Sequence, residues 1–151
     1  MARLSSRDRI IDAYCGIGSI ALSLAKKVHK VFGIEVFESA IEYAKKNAEL
    51  NEIRNAFFEA GNAEQVIRKW KRFKFDAIFI DPPRKGCSKS FINTLIDMKI
   101  KKIIYISCNP ATLGRDLELL INGGYTVREV TPVDMFPQTT HVESVTLLEL
   151  K

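Results

Sequence analysis

The chain has 151 residues, 46% of them hydrophobic, which suits one domain with a real core and leaves little for a second. Its 23 Lys and Arg against 18 Asp and Glu give a formal charge of +5, which suits a polyanionic partner without demanding one. No apolar run nears the roughly 20 residues of a bilayer span, and the first residues carry no signal-peptide segment, so a cytoplasmic setting is expected.

Residues 1–9 read as an N-terminal leader or truncation edge, and residues 10–151 as the domain. Ile10–Tyr14 predicts a short strand that runs into Cys15-Gly16-Ile17-Gly18-Ser19, and Ile20–Lys30 a helix. Val31–Val36 predicts a second strand. Over Glu38–Asn51 the apolar positions Ala40, Ile41, Ala44 and Ala48 recur at helical spacing. Ala56–Glu59 is a short strand and Ala63–Trp70 a helix. Asp76–Ile80 is a buried strand stopped by Asp81-Pro82-Pro83, Lys89–Met98 a helix, and Lys102–Ser107 another buried strand. Asn109 is a good N-cap and Pro110 suits the first helical position. The helix they open runs to about Ile121 and stops at Asn122-Gly123-Gly124. Tyr125–Val130 and Val142–Leu150 read as two consecutive strands. Alternation of strand and helix implies an α/β fold with a mostly parallel sheet covered on both faces. Two strands in succession at the end imply an antiparallel last strand. That is the seven-stranded, Rossmann-like topology of class I methyltransferases, rather than the six parallel strands of dehydrogenases.

Four signals carry chemistry. In the first, Asp12-Ala13-Tyr14-Cys15-Gly16-Ile17-Gly18-Ser19, glycines at a strand-to-helix turn let backbone approach a ligand. Glu35 ends the next strand, where a carboxylate can accept from both hydroxyls of a ribose. The spacing also fits a loose dinucleotide fingerprint. Asp12 decides against it: a carboxylate there favours the ammonium end of S-adenosylmethionine and repels a pyrophosphate. Asn62, after the third strand, is placed to meet an adenine or to cap the next helix, and both can hold. The second signal is Asp81-Pro82-Pro83-Arg84-Lys85-Gly86, at the carboxyl end of a strand, where open α/β sheets bind ligands. Enzymes that methylate exocyclic amines of bases carry an aromatic where Arg84 stands, so another chemistry is indicated.

The third signal, Ser107-Cys108-Asn109-Pro110-Ala111-Thr112-Leu113-Gly114-Arg115-Asp116, places Cys108 at a strand end beside a helix start, where a thiolate is stabilised and can act as nucleophile. A buried structural cysteine is the alternative for an isolated thiol. The fourth, His141-Val142-Glu143, offers Glu143 as general base. A thiolate and a base on opposite sides of a uracil ring suffice to make carbon 5 nucleophilic and then to remove its proton. Cys15 and Cys87 read as non-catalytic, with Cys87 in reserve for a cytosine-5 chemistry. No CxxC pair is present, and His29 and His141 are too few for a metal site, so no metal is expected in this chain. Arg84, Lys85 and Lys89 are candidates for phosphate contact.

DAYCGIGS, Glu35, DPPRKG, SCNPATLGRD and DMFPQTTHVES together resemble the RNA uracil-5-methyltransferase family of tRNA and 23S rRNA enzymes, from about residue 10 to the C-terminus. The resemblance implies Cys108 as nucleophile and Glu143 as base. It implies S-adenosyl-L-methionine as cofactor, lined by Tyr14, Ser19, Glu35, Asn62 and Asp81, although other members often have Asn at the position of Ser19. DAYCGIGS and GNAEQVIRKW favour the ribosomal branch, hence rRNA over tRNA. Family members are usually much longer and carry an RNA-binding barrel upstream, often with an iron–sulfur site. RNA binding is therefore expected to need upstream domains, and two alternatives stand beside the leading one: a domain that binds the cofactor without turnover, and a cytosine-5 RNA methyltransferase.

Overall fold

The computed structural model describes residues 3–135, 137–139 and 142–151; His141, part of the fourth sequence signal, lies outside the described residues. In chain order the elements are β1 (Arg9–Ala13), α1 (Ser19–Ala25), β2 (Lys30–Glu35), α2 (Glu38–Leu50), β3 (Ala56–Ala60), α3 (Ala63–Trp70), β4 (Ala77–Ile80), α4 (Lys89–Met98), β5 (Lys102–Ser107), α5 (Pro110–Asn122), β6 (Tyr125–Val133) and β7 (Glu143–Leu150). Seven strands form one sheet in the order β3-β2-β1-β4-β5-β7-β6. β1 to β5 pair in parallel, and β7 runs antiparallel between β5 and β6. No helix among the described residues is long and apolar enough to cross a membrane.

Both faces of the sheet are covered, which is why the central strands are apolar at consecutive positions instead of alternating. Ile10, Val31, Ala77, Ile104 and Leu147 pack on one face with Ala21 and Ala25 of α1. Their neighbours Ile11, Ile78, Ile103 and Leu148 point the other way, into a larger cluster with Phe91 and Leu95 of α4 and Leu113 and Leu120 of α5.

Two boundaries differ from the sequence expectation. The helix expected over Ile20–Lys30 ends at Ala25. The Asn55 side chain, arriving from the turn before β3, donates to the carbonyls of Ala25, Val28 and His29 and so holds the chain in a turn where a helix would have continued. β6 continues to Val133, through Pro132. It is an edge strand, where proline is tolerated in a ladder.

Strand order changes direction between β1 and β4: β1 leads outward to β2 and β3, β4 to β5. This topological switch opens a crevice at the carboxyl ends of the strands, and the first two sequence signals both end there.

Candidate active site

The crevice is a cleft of about 670 Å³ whose lining includes Tyr14, Glu35, Asn62 and Asp81. Tyr14 contributes to this lining from the turn after β1. Tyr14, Gly16 and Gly18 have φ of 66°, 52° and 89°, a run of left-handed residues that reverses the chain into α1. A Cβ on Gly16 would meet nothing within 4 Å, so this backbone faces open space. Glu35 is held rigidly beside it. One carboxylate oxygen accepts from Gly16 N at 3.1 Å, the other from Val36 N at 2.8 Å and Phe37 N at 3.2 Å. Asn62 caps α3, its side-chain oxygen accepting from Glu64 N at 2.9 Å, and the residue also lines the cleft.

Ser19 is exposed as the first residue of α1. Asp12 is wholly buried behind the turn. Its Oδ2 accepts from Ala21 N at 2.8 Å, stitching β1 to α1, while its Oδ1 is buried with no hydrogen-bond partner. Asp12 therefore acts on the cleft through its field, without lining it. Burial pushes its carboxyl up to about 7, with further upward pressure from the charges of Asp81 and Glu35. Asp81 is also raised, by desolvation first and by Glu143 second.

Past Asp81 lie the remaining signals. The β5–β7 pairing joins Ser107 to Ser144 in an antiparallel register. Continuing that register by one residue sets Cys108 opposite Glu143. The two reach the same strand end from parts of the sequence 35 residues apart. Cys108 is half-buried, whereas Cys15 and Cys87 are buried. Burial pushes the Cys87 thiol up to about 12, which disfavours its thiolate at neutral pH. Asn109, next to Cys108, caps α5 by accepting from Ala111 N at 3.0 Å.

Sequence reasoning passed over the residues that hold the second and third signals together. Asp116, wholly buried on α5, accepts from Cys87 N at 2.7 Å and from the Tyr105 hydroxyl at 2.6 Å. Arg115 pairs with the other oxygen of Asp116 at 2.7 Å and donates to the carbonyls of Lys85 and Cys87. The adjacent Arg-Asp pair closing the third motif was the available signal. A charged pair on a helix that is otherwise half apolar requires a partner inside the protein.

Comparison with known proteins agrees with this geometry. The family described as tRNA (Uracil-5-)-methyltransferase matches residues 2–151. An uncharacterized RNA methyltransferase of Listeria monocytogenes is 52% identical over 151 residues, covering 99% of this chain and 33% of that protein. One of Bacillus cereus is 56% identical over 149 residues, with 97% and 32% covered. The chain thus spans about a third of the length of the curated relatives it matches. Among solved structures, Pyrococcus abyssi tRNA (uracil-54, C5)-methyltransferase in complex with S-adenosyl-L-homocysteine superposes with a TM-score of 0.84 at 36% identity, covering 96% of this chain and 35% of that one. A Streptococcus thermophilus rRNA methylase, at 17% identity and a TM-score of 0.76, shares the fold.

Proposed function

Since the chain belongs to the tRNA (uracil-5-)-methyltransferase family, we propose that residues 10–151 are the catalytic domain of an enzyme that methylates carbon 5 of a uridine in RNA. The observation that supports the reading is the β5–β7 register, which ends at Ser107 and Ser144, the immediate neighbours of Cys108 and Glu143, with the charge of Glu143 felt at Asp81. Glu35, Asn62 and Tyr14 would hold S-adenosylmethionine: Glu35 by its ribose, Asn62 by its adenine, with Asp81 next to the reacting end. The mutual pressure of Asp12, Asp81 and Glu35 suits that ligand's positive charge. When bound, it supplies an activated methyl group.

The chain's own residues prepare the base. The Cys108 thiolate adds to carbon 6 of the uracil, opening the 5,6 double bond and leaving carbon 5 electron-rich. Once carbon 5 is alkylated, Glu143 takes the carbon-5 proton, the double bond reforms and the thiolate departs. The thiolate is regenerated on elimination and Glu143 passes the proton on to solvent, so the cycle closes without an oxidant. Arg84 and Lys85, exposed on the loop after β4, supply positive charge for RNA phosphates at this edge.

The test is covalent capture. RNA bearing 5-fluorouridine, which cannot lose its carbon-5 substituent to a base, should form a denaturation-resistant adduct with the parent and none with Cys108→Ala. Ordinary RNA should accumulate an adduct with Glu143→Gln and not with the parent. An undiminished adduct in Cys108→Ala overturns the assignment. Ribosomal RNA is favoured by the first motif and the GNAEQVIRKW stretch, whereas the Pyrococcus abyssi relative acts on tRNA at uracil 54 by its name. Capture run in parallel on rRNA fragments and tRNA decides between them.

A further inference from the structure

We propose that Asp116 is a positioning residue for this reaction: with Arg115 it clamps the loop after β4 onto the start of α5 and so sets the spacing between Asp81 and Cys108. The inference rests on the reading of Cys108 as nucleophile, but the clamp itself is drawn from contacts independent of it. The loop leaves Asp81 through two prolines, which lack backbone donors and cannot anchor it by their own N–H groups. Apart from a turn bond of its own, Gly86 N to Pro83 O at 2.8 Å, it is held from α5 and its N-cap. Asn109, the residue after Cys108, donates its side-chain N–H to Arg84 O at 3.2 Å, and Thr112 Oγ1 donates to the same carbonyl at 3.1 Å. Arg115 holds the carbonyls of Lys85 at 3.0 Å and Cys87 at 3.1 Å, and Asp116 holds Cys87 N at 2.7 Å. Every residue from Arg84 to Cys87 apart from Gly86 is thus bonded through its backbone to the first turns of one helix. Gly86 shows how close the approach is: at φ +74°, a Cβ there would stand 2.6 Å from Asp116 Oδ2 and 2.7 Å from Arg115 Nη2.

The clamp reaches further than the loop. Asp116 also accepts from Tyr105, on the strand that ends in Cys108's neighbour Ser107. One buried carboxylate therefore ties β5, α5 and the loop after β4 into a unit, and the two residues whose separation matters, Asp81 and Cys108, lie at its two margins. Three donors converge on Asp116, so an isosteric amide would turn a donor toward a donor and release one arm of the clamp.

The experiment compares Asp116→Asn, Arg115→Lys and Glu118→Gln with the parent, at a temperature where circular dichroism shows each folded. Tryptic cleavage after Arg84 or Lys85 and alkylation of Cys87 by iodoacetamide, resolved by peptide mass, report the loop. Both should quicken more than tenfold in Asp116→Asn, by a smaller factor in Arg115→Lys, and not in Glu118→Gln, an exposed acid on the same helix. The rate of 5-fluorouridine adduct formation at saturating RNA should fall at least tenfold in Asp116→Asn while the half-saturating RNA concentration stays within threefold. Unchanged cleavage and alkylation overturn the clamp. Rate and RNA affinity falling together with the melting temperature overturn the positioning role in favour of a merely structural one. If Asp116→Asn does not fold, Arg115→Lys, altering a side chain already half exposed, carries the same comparison. An adduct that forms with Cys108→Ala as readily as with the parent overturns the reaction reading instead, and the loop measurements still decide the clamp.

Discussion

Asp12 illustrates how a single residue links stability to the site. It stitches β1 to α1 through Ala21 N, yet it does so from a fully buried position with one oxygen unpaired. A carboxyl raised from 3.8 to about 7 holds a proton that the unfolded chain has already released. The stability it contributes is whole below about pH 4 and is lost as pH rises through about 7, an effect of at most the order of 4 kcal/mol. Thermal unfolding followed from pH 4 to pH 8 should therefore show the parent losing stability relative to Asp12→Asn, which cannot ionise. Parallel curves for the two proteins would refute the raised carboxyl. Among the thiols, the sequence could rank Cys108 first by its neighbours. The structure adds that Cys15 and Cys87 are buried while Cys108 is half-buried.

At the scale of elements, two glycines separate packing from ligand access. Gly33 lies in mid-β2, where a Cβ would stand 2.5 Å from Phe58 Cδ1 and 2.9 Å from Cys15 Sγ. The missing side chain is what lets the Phe58 ring lie across the strand and pack under Gly18. Gly33→Ala should lower stability by about 1–3 kcal/mol, the usual cost of overpacking a close-fitted site, measured by denaturant titration. Gly16 is the converse: a Cβ there meets nothing, so Gly16→Ala should cost only the ~1–2 kcal/mol of a left-handed non-glycine residue. Its methyl projects into open space on the residue that donates to Glu35 and should weaken S-adenosylhomocysteine binding by calorimetry more than Gly33→Ala does. A matched loss of affinity in both variants would mean that the turn after β1 does not carry the ligand. The same scale explains what the sequence hid about α1. Its early end is imposed by Asn55, some thirty residues further along the chain, and no local propensity encodes that contact.

For the molecule as a whole, the decisive fact is the insertion of the last strand. β7 is central to its end of the sheet, paired on one side with β5 and on the other with β6, and it presents Glu143 at its start. Residues 143–151 are thus structural as well as a source of chemistry. A chain ending at Val142 would leave both neighbouring strands without their ladder. It should fail to give a cooperative unfolding transition, while Glu143→Gln in the full chain should melt within about 0.5 kcal/mol of the parent, as half-buried polar substitutions commonly do. A cooperative, parent-like melt of the shortened chain would contradict the topology. The sequence by itself determined the order and type of all twelve elements, and it marked Cys108, Glu143, Glu35, Asn62 and Asp81. It could do so because periodicity, glycine turns and caps are local properties of the chain. It could not determine that Asp12 is sealed behind the turn, or that Arg115 and Asp116 bind the loop after β4. Those depend on which segments the sheet brings together, and burial and hydrogen-bond partnership across 28 or more residues exist only once it has closed.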